Sequence, residues 1–346
     1  MKNVLVTGGA GFIGSHTVVE LIDAGYKPVI VDDFRNSSRS VIKRLERLTS
    51  KKVVFYDQDY RNQKLLENVI KKENIDSVIH FAAYKIVAES IAEPLKYYEN
   101  NVSGFVTLLE ALLKNKVYNL VFSSSAAVYG DPPIVSVNED LPCAPASPYG
   151  WSKYMDELIL RDACSSEPKL MGTALRYFNA VGAHSSVQIG EFPKSKPQNL
   201  LPIIVQACTG QGSPLTIFGS DYPTPDGTCV RDYIHVVDLA KSHVAALQNS
   251  NSLKGGNYRV YNVGTGKPTS VMELIKTFER VNRVKVPYRL GARRPGDLVA
   301  FYASPAKIKK ELGWEASKTV EDSVANAWHW QETMAKEIIR KESTAQ

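Results

Sequence analysis

Cysteine is scarce in this chain. The 346 residues contain four cysteines, Cys143, Cys164, Cys208 and Cys229, and no C-x-x-C spacing. Few and widely separated cysteines favour free thiols in a reducing compartment over a disulfide framework or a metal site. We therefore expect a cytoplasmic protein without a bound metal.

Long apolar runs and clusters of one charge are also missing. No apolar stretch approaches 18 residues, so we expect no membrane-spanning helix. The first residues lead into a strand pattern and lack the features of a signal peptide. The net charge of +6 would suit an anionic partner, either a nucleic acid or a phosphorylated small molecule. The basic residues form no long run and no zinc-finger spacing, so we expect no nucleic-acid partner.

Short apolar segments alternate with helical patterns through the first half of the chain. Strands are predicted at residues 3–7, 28–31, 53–56, 77–83, 119–125 and 173–179. Helices are predicted from residue 12 to a stop at residue 25, and at 65–72 and 102–113. This alternation predicts an α/β fold with a doubly wound, Rossmann-like parallel sheet in a domain spanning 1–180.

The composition changes after residue 180, where glycine, proline, serine and asparagine become frequent. Residues 181–346 are predicted to form mainly a smaller, mixed lobe. Strand-like segments near 232–240 and 259–264 are expected to return to the sheet, and a helix is expected from 320 to about 336.

Three glycines, Gly8, Gly11 and Gly14, lie between the first predicted strand and its helix. In this context they permit a tight turn, a close approach to a pyrophosphate, and close packing of helix on strand. Asp32 ends the second predicted strand, where a carboxylate can hold the hydroxyls of an adenosine ribose. Its charge would repel a 2′-phosphate, which favours NAD over NADP. The alternative is an acid that merely ends a strand.

Polar residues follow the later strands, and ligands of such sheets bind beyond the carboxyl ends of the strands. Tyr149 and Lys153 are four residues apart, so they share one face if they lie on a helix. A nearby ammonium lowers the pKa of a phenol, and a positive nicotinamide ring would lower it further. The pair could then act as a general base toward a sugar or alcohol hydroxyl, with the Ser125 hydroxyl binding the reacting oxygen. The alternative is a surface tyrosine and lysine.

Five stretches carry a resemblance to a known family: residues 6–16 (VTGGAGFIGSH), 122–130 (FSSSAAVYG), 147–153 (SPYGWSK), 176–184 (RYFNAVGAH) and 230–236 (VRDYIHV). Over essentially its whole length the chain resembles the extended short-chain dehydrogenase/reductases and, within them, the UDP-glucose 4-epimerases. The resemblance implies a tightly held NAD, a UDP-sugar substrate bound between the lobes, and a homodimer joined through helices such as 102–113 and 151–164.

The resemblance also implies a reaction that interconverts UDP-galactose and UDP-glucose. Tyr149 would accept the proton of the sugar 4-hydroxyl while hydride leaves C4 for NAD. The 4-keto sugar would turn over in the site and receive hydride on its other face.

Site residues follow from the motifs and from the resemblance. The expected catalytic residues are Ser125, Tyr149 and Lys153. The expected cofactor residues are Gly8, Gly11, Phe12, Ile13, Gly14, Asp32, Asn36, Ser37, Asp59, Tyr60, Phe81, Ala82, Ala83, Lys85, Asn100, Ser123, Tyr149, Lys153 and Tyr177. The expected substrate residues are Lys85, Ser125, Ala126, Tyr149, Phe178, Asn179, Asn199, Leu200, Leu215, Thr216, Ile217, Phe218, Arg231, Arg294, Asp297 and Phe301. The two arginines suit a diphosphate because guanidinium makes charged, bidentate contacts.

The chain departs from the family pattern at three places. Tyr84 stands where leucine is usual, Trp151 replaces a basic or polar residue, and residues 191–196 differ from the usual loop sequence. Phe301 falls at a position expected to gate the space beside the sugar's 2-position. Its bulk is expected to exclude N-acetylated sugars, unless it is only a core aromatic.

Three other functions remain open. A 4,6-dehydratase would need an acid pair where this chain has Ala126 and Ala127. A UDP-glucuronate decarboxylase is less easily excluded. A non-catalytic dinucleotide sensor would have no need of Ser125, Tyr149 and Lys153 together.

Overall fold

The computed structural model describes residues 2–194, 197–210, 212–250, 257–294 and 296–343, with side chains to residue 336. The strands are β1 (Asn3–Thr7), β2 (Lys27–Asp32), β3 (Val54–Asp57), β4 (Ser77–His80), β5 (Asn119–Ser123), β6 (Ser136–Val137), β7 (Met171–Tyr177), β8 (Asn179–Val181), β9 (Leu215–Phe218), β10 (Val230–His235), β11 (Tyr258–Val263), β12 (Pro268–Ser270), β13 (Tyr288–Gly291) and β14 (Ala300–Ala303).

The helices are α1 (Phe12–Asp23), α2 (Ser40–Thr49), α3 (Gln63–Lys72), α4 (Val87–Ala92), α5 (Pro94–Tyr97), α6 (Gly104–Lys114), α7 (Pro148–Ser166), α8 (Leu200–Cys208), α9 (Val236–Asn249), α10 (Val271–Asn282), α11 (Ala306–Leu312) and α12 (Val320–Ser343). A π-helical turn covers Tyr98–Ser103, and a 3-10 turn covers Ala126–Tyr129. In the part of the chain that the structure describes, no helix has both the length and the apolar character needed to cross a membrane.

Seven parallel strands form the main sheet in the order β11-β7-β5-β4-β1-β2-β3. The interior strand β1 shows why its middle residues are apolar. Val4 and Val6 pack in one cluster with α1 and α9, while Leu5 packs on the opposite face with α3 and α6. Both faces are covered because successive side chains of a strand point to opposite sides. The predicted doubly wound α/β fold is confirmed.

A second sheet has the order β12-β10-β14-β6, and β8 also pairs with β10. The strands β9 and β13 form a separate parallel pair. Around them, apolar residues of α8, α10 and α12 form a further core. The expected boundary at residue 180 falls inside β8, and the division of the chain into two domains stays a prediction.

The predicted strand 173–179 is interrupted. β7 ends at Tyr177, and β8 begins at Asn179 and pairs with β10 in the second sheet. The backbone of Phe178 is the link between the sheets, since its N–H still donates to the Val263 carbonyl (3.1 Å). Residues 177–179 therefore lie where the two sheets meet.

Other predicted boundaries also change. The fourth and fifth predicted strands end early, at His80 and Ser123. The residues that follow His80 line the cavity described below. The strand-like segment predicted near 232–240 begins in β10, which lies in the second sheet rather than the main sheet. β10 stops at His235 because the imidazole Nδ1 of His235 accepts from the Val237 amide and caps α9. The segment predicted at 259–264 does join the main sheet, as β11.

Candidate active site

One open cavity, with a volume of about 1540 Å³ including its mouth, lies at the carboxyl ends of the main-sheet strands. Its wall includes every expected cofactor residue except Asp59 and Ser123. A single surface thus joins the glycine loop, Asp32, Tyr149, Lys153 and Tyr177.

At Gly8 and Gly14, the backbone of the glycine loop lies too close to its neighbours to carry a side chain. Gly8 has φ +70°, and a Cβ there would lie 2.9 Å from the Ala82 amide nitrogen. A Cβ on Gly14 would collide with the carbonyl oxygen of Gly8. Gly11 is the N-cap of α1 and has no side chain to cap the first amides of the helix. Those amides are free to bind phosphate, so the loop fits a pyrophosphate.

Asp32 is buried at the end of β2. Its Oδ2 accepts from the Ala10 amide (3.0 Å), and its Oδ1 accepts from the Phe34 amide (2.9 Å) and the Ser37 hydroxyl (2.8 Å). Burial raises the pKa of Asp32 despite these three hydrogen bonds. The carboxylate is held rigidly against the cavity, as a ribose-binding acid requires.

The next strand end contributes Gln58 and Tyr60 to the wall rather than Asp59. The Gln58 Oε1 atom is buried without a hydrogen-bond partner, so it offers an acceptor to a polar ligand. The Asp59 carboxylate is bound by Arg61 (2.7 Å) and Arg35 (3.4 Å). Burial acts to raise the Asp59 pKa, but the hydrogen bonds from Arg61 outweigh it and lower the pKa overall.

Two adjoining turns position Ser125 and Tyr149. Ser125 caps the 3-10 turn, its hydroxyl accepting from the Ala127 amide (3.1 Å). Ser147 caps α7 by accepting from the Gly150 amide (3.2 Å), which places Tyr149 in the first turn of the helix. A Cβ on Gly150 would lie 2.7 Å from the Ala127 carbonyl oxygen, so only glycine lets the two turns pack this closely.

Lys153 lies one turn further along α7 and is fully enclosed. Its Nζ donates to the Ser123 carbonyl (2.9 Å) and lies 4.8 Å from the centre of the Phe122 ring. Ser123 therefore reaches the site through its backbone. Burial lowers the pKa of Lys153 to about 8, opposed by the charges of Asp156 and Glu157.

The expected lowering of the Tyr149 pKa by Lys153 together with an oxidised nicotinamide stays a prediction. Burial raises the Tyr149 pKa above its ordinary value, and the hydrogen bond with Ser125 only partly offsets this. Burial has this effect because it disfavours the charged phenolate.

The expected substrate residues, apart from Lys85 and Tyr149, lie outside this cavity wall. Arg231 and Arg294 converge on Asp297, at 3.5 and 2.8 Å. Asn199 donates to Glu191 (2.9 Å), which also pairs with Lys85 (3.5 Å). Glu191 thus links a residue of the cofactor cavity to one of the expected substrate residues.

The remaining substrate residues differ in exposure. Leu215 and Ile217 are buried in the core of the second lobe, whereas Thr216 and Phe218 on the same strand are not. Asn179 is exposed, and Leu200 begins α8. Ala126, Phe178 and Phe301 share an apolar cluster, with the Phe178 and Phe301 rings 5.0 Å apart. The Phe301 ring packs in this cluster, and its expected role as a gate beside the sugar stays a prediction.

A buried ion pair supports the catalytic turns and escaped the sequence analysis. Glu157 accepts from Arg176 (2.6 Å) and from the Ser124 hydroxyl (2.5 Å), and Arg176 also donates to the Tyr129 hydroxyl (3.0 Å). Next to Glu157, Asp156 is buried with no partner for its Oδ1 atom. Burial raises the Asp156 pKa well above its usual value. Asp156 and Glu157 follow Lys153 by three and four residues, and this helical spacing could have indicated that both lie near the site.

Other wall residues were missed for different reasons. Arg35 and Tyr84 adjoin predicted positions, so proximity in sequence could have found them. Arg44 and Trp330, which meet in a cation–π contact at 5.2 Å, come from α2 and α12 and gave no local signal.

Comparison with known proteins agrees with this geometry. The family model described as GDP-mannose 4,6 dehydratase matches residues 5–327. A UDP-glucose 4-epimerase of Dictyostelium discoideum is 51% identical over 95% of each chain. The crystal structure of UDP-glucose 4-epimerase from Bifidobacterium longum, in complex with NAD+ and UDP, has a TM-score of 0.91 and 46% identity, covering 96% of this chain and 98% of that one. The enzyme from Stenotrophomonas maltophila, with bound NAD and formylated UDP-arabinopyranose, has a TM-score of 0.95 and 44% identity, covering 97% and 100%. The chain belongs to the UDP-glucose 4-epimerase family.

Proposed function

We propose that this protein interconverts UDP-galactose and UDP-glucose with one tightly held NAD. The observation that carries the proposal is the length and polarity of the cavity. Asp32 ends β2, and the Ser123 carbonyl that holds Lys153 ends β5, with β1 and β4 between them. Three strand spacings of about 4.8 Å separate the two ends by about 14 Å, which suits an extended dinucleotide.

In this proposal Asp32 binds the adenosine ribose, the glycine loop binds the pyrophosphate, and Lys153 binds the nicotinamide ribose. When bound, NAD supplies the acceptor and then the donor of hydride. The remaining expected cofactor residues line the same path, with Ser123 acting through its carbonyl and Asp59 through its contacts with Arg35 and Arg61.

Tyr149 is proposed to carry the proton. Its phenolate oxygen accepts the proton of the sugar 4-hydroxyl and becomes a phenol, as the C4–H bond breaks with its electron pair and the C4=O bond forms. Ser125 holds the reacting oxygen. After the 4-keto sugar turns over, hydride returns to the opposite face and Tyr149 returns its proton, so there is no net redox change. The raised pKa of Tyr149 means that its base form depends on positive charge from Lys153 and the oxidised nicotinamide.

The UDP part is proposed to bind in the second lobe. Arg231 and Arg294 would contact the diphosphate, and Asp297 holds both guanidinium groups in place. The other residues assigned to substrate in this proposal are Phe178, Asn179, Asn199, Leu200, Leu215, Thr216, Ile217, Phe218 and Phe301. Leu215 and Ile217 would act through their backbones because their side chains are in the core.

The cofactor assignment is tested by denaturing the purified protein and identifying the released nucleotide by chromatography. NAD in near-equimolar amount is expected. A predominance of NADP would contradict the assignment of Asp32.

We also propose a cytoplasmic homodimer. All four cysteines are free thiols in the structure. Several large apolar side chains are exposed on α4 to α7, as a partner surface requires: Val87, Ile91, Leu95, Val106, Trp151 and Met155. Sedimentation equilibrium is expected to give twice the chain mass of 38.3 kDa. The mass of a single chain would contradict the homodimer.

A further inference from the structure

Two loops meet at the mouth of the cofactor cavity. Arg35 lies in the loop after β2, and Tyr84 lies in the loop after β4. Arg35 Nη1 donates to the Tyr84 hydroxyl, and the guanidinium carbon lies 5.3 Å from the centre of the Tyr84 ring. Both residues line the cavity. The contact therefore joins two separate parts of its wall.

The order of the strands shows what this contact crosses. In the main sheet, β1 lies between β2 and β4. The glycine loop leaves the carboxyl end of β1, so it lies between the loop of Arg35 and the loop of Tyr84. A bridge between those loops passes over the glycine loop, where the pyrophosphate of a dinucleotide would rest.

Each side of the bridge is held from behind. Arg35 Nη2 pairs with Asp33 (2.7 Å) and Asp59 (3.4 Å). The Tyr84 amide donates to Asn101 Oδ1 (2.9 Å), and Asn101 Nδ2 donates to the Tyr84 carbonyl (3.1 Å). These contacts fix both groups in the positions from which they meet.

The Tyr84 side also connects to the catalytic helix. Asn101 Nδ2 donates to the Ser152 hydroxyl (3.0 Å), and that hydroxyl donates to the Tyr149 carbonyl (2.8 Å). The Lys96 ammonium lies 4.9 Å from the centre of the Tyr84 ring. The Tyr84 backbone is therefore tied to α7, whereas Arg35 is held only by ion pairs that water can reach, with 42% of its side chain exposed. Arg35 is the side chain that would move for the bridge to open.

We propose that Arg35 and Tyr84 form a clasp that must open for the dinucleotide to enter or leave the cavity. The inference rests on the proposed function, since it assumes that the cavity holds NAD. The two side chains bind each other, so the bridge does not depend on a contact with the dinucleotide. It is therefore expected to slow entry and release by the same factor, with little effect on affinity. A guanidinium that only bound the phosphates would slow release without slowing entry.

The test measures both rates on the full-length protein. The protein is loaded with radiolabelled NAD, and release is followed by filtration after a chase with excess unlabelled NAD. Entry is followed by mixing NAD-stripped protein with labelled NAD. Tyr84→Phe keeps the ring and its contact with Lys96 but removes the hydroxyl acceptor. Arg35→Met removes the donor. Arg39→Met is the matched control, because Arg39 is an exposed arginine near the start of α2 that pairs with Asp57 and does not line the cavity.

Tyr84→Phe is expected to accelerate both release and entry by about tenfold, as for the loss of one hydrogen bond to a charged donor. Because both single substitutions break one contact, the double variant is expected to be no faster than Arg35→Met alone. Arg39→Met is expected to behave as the wild type.

Unchanged rates in Tyr84→Phe and Arg35→Met, in a protein whose wild type retains NAD, would overturn the clasp alone. Faster release with slower entry would also overturn it, in favour of direct binding of the phosphates. A wild-type protein that retains no labelled NAD would overturn the proposed function, and the clasp with it.

Discussion

The ion pair between Glu157 and Arg176 gives a stability prediction that can be worked from the structure. Both side chains are buried, with 2% exposure for Glu157 and 7% for Arg176. The Glu157 carboxylate accepts from three donors, the Arg176 Nε and Nη2 atoms and the Ser124 hydroxyl, all within 3.1 Å. Glu157→Gln removes the negative charge and leaves the guanidinium buried without a counter-charge. The loss of one partner of a buried pair costs about 3–5 kcal/mol.

The expected shift in melting temperature follows from the size of the chain. At about 2.1 cal/mol/K per residue, 346 residues have an unfolding entropy of about 0.7 kcal/mol/K, so Tm is expected to fall by about 4–7 °C. Differential scanning calorimetry of the NAD-loaded protein measures it. Asp162→Asn is the matched control on the same helix, because the exposed Arg161–Asp162 pair is worth less than about 1 kcal/mol.

Replacing both partners tests the reasoning itself. Glu157→Met combined with Arg176→Met leaves no uncompensated charge, so the double variant is expected to be more stable than Glu157→Gln. A Tm for Glu157→Gln within 1 °C of the Asp162→Asn value would refute the argument.

Three further predictions concern the site. Tyr149→Phe is expected to lower kcat by about 10²–10⁴-fold and to leave UDP binding nearly unchanged, because only the proton acceptor is lost. Steady-state kinetics and calorimetric titration measure the two effects, and near-normal turnover would contradict the mechanism. Because the Asp156 pKa is raised in the folded state, the wild type loses stability as pH rises above the unfolded value of about 3.9. Asp156→Asn is therefore expected to raise Tm more at pH 8 than at pH 4, and an equal change at both would count against a neutral buried carboxyl. Phe301→Cys is expected to permit epimerisation of UDP-N-acetylglucosamine, because it removes the overpacking that lowers the rate on this substrate by about 5- to 150-fold. If the wild type epimerised UDP-glucose and UDP-N-acetylglucosamine at comparable rates, Phe301 would not be a gate.

Much of the main sheet could be predicted from the sequence, because local patterns determine it. The first strand was predicted at its observed bounds, since Val4, Leu5 and Val6 are apolar for both faces of the sheet. The glycine loop and Asp32 were found because their spacing reflects backbone geometry that a dinucleotide requires. The family resemblance added the positions of residues that share no local pattern.

The sequence could not show where the chain changes sheets. The run 173–179 is apolar enough for one strand, and only the long-range pairing of β8 with β10 divides it at Phe178. The raised pKa of Tyr149 could not be predicted from the sequence either, because the burial that raises it arises only when the site is assembled. The Arg35–Tyr84 contact likewise joins side chains 49 residues apart.

The central claim is epimerisation by transient oxidation at C4 with a resident cofactor. Proton NMR of UDP-galactose incubated in D₂O with the purified protein, without added NAD, tests it most directly. UDP-glucose is expected to appear with protium retained at C4, because the hydrogen leaves and returns as hydride and never exchanges with solvent. Absence of UDP-glucose, or deuterium at C4 of the product, would contradict the account.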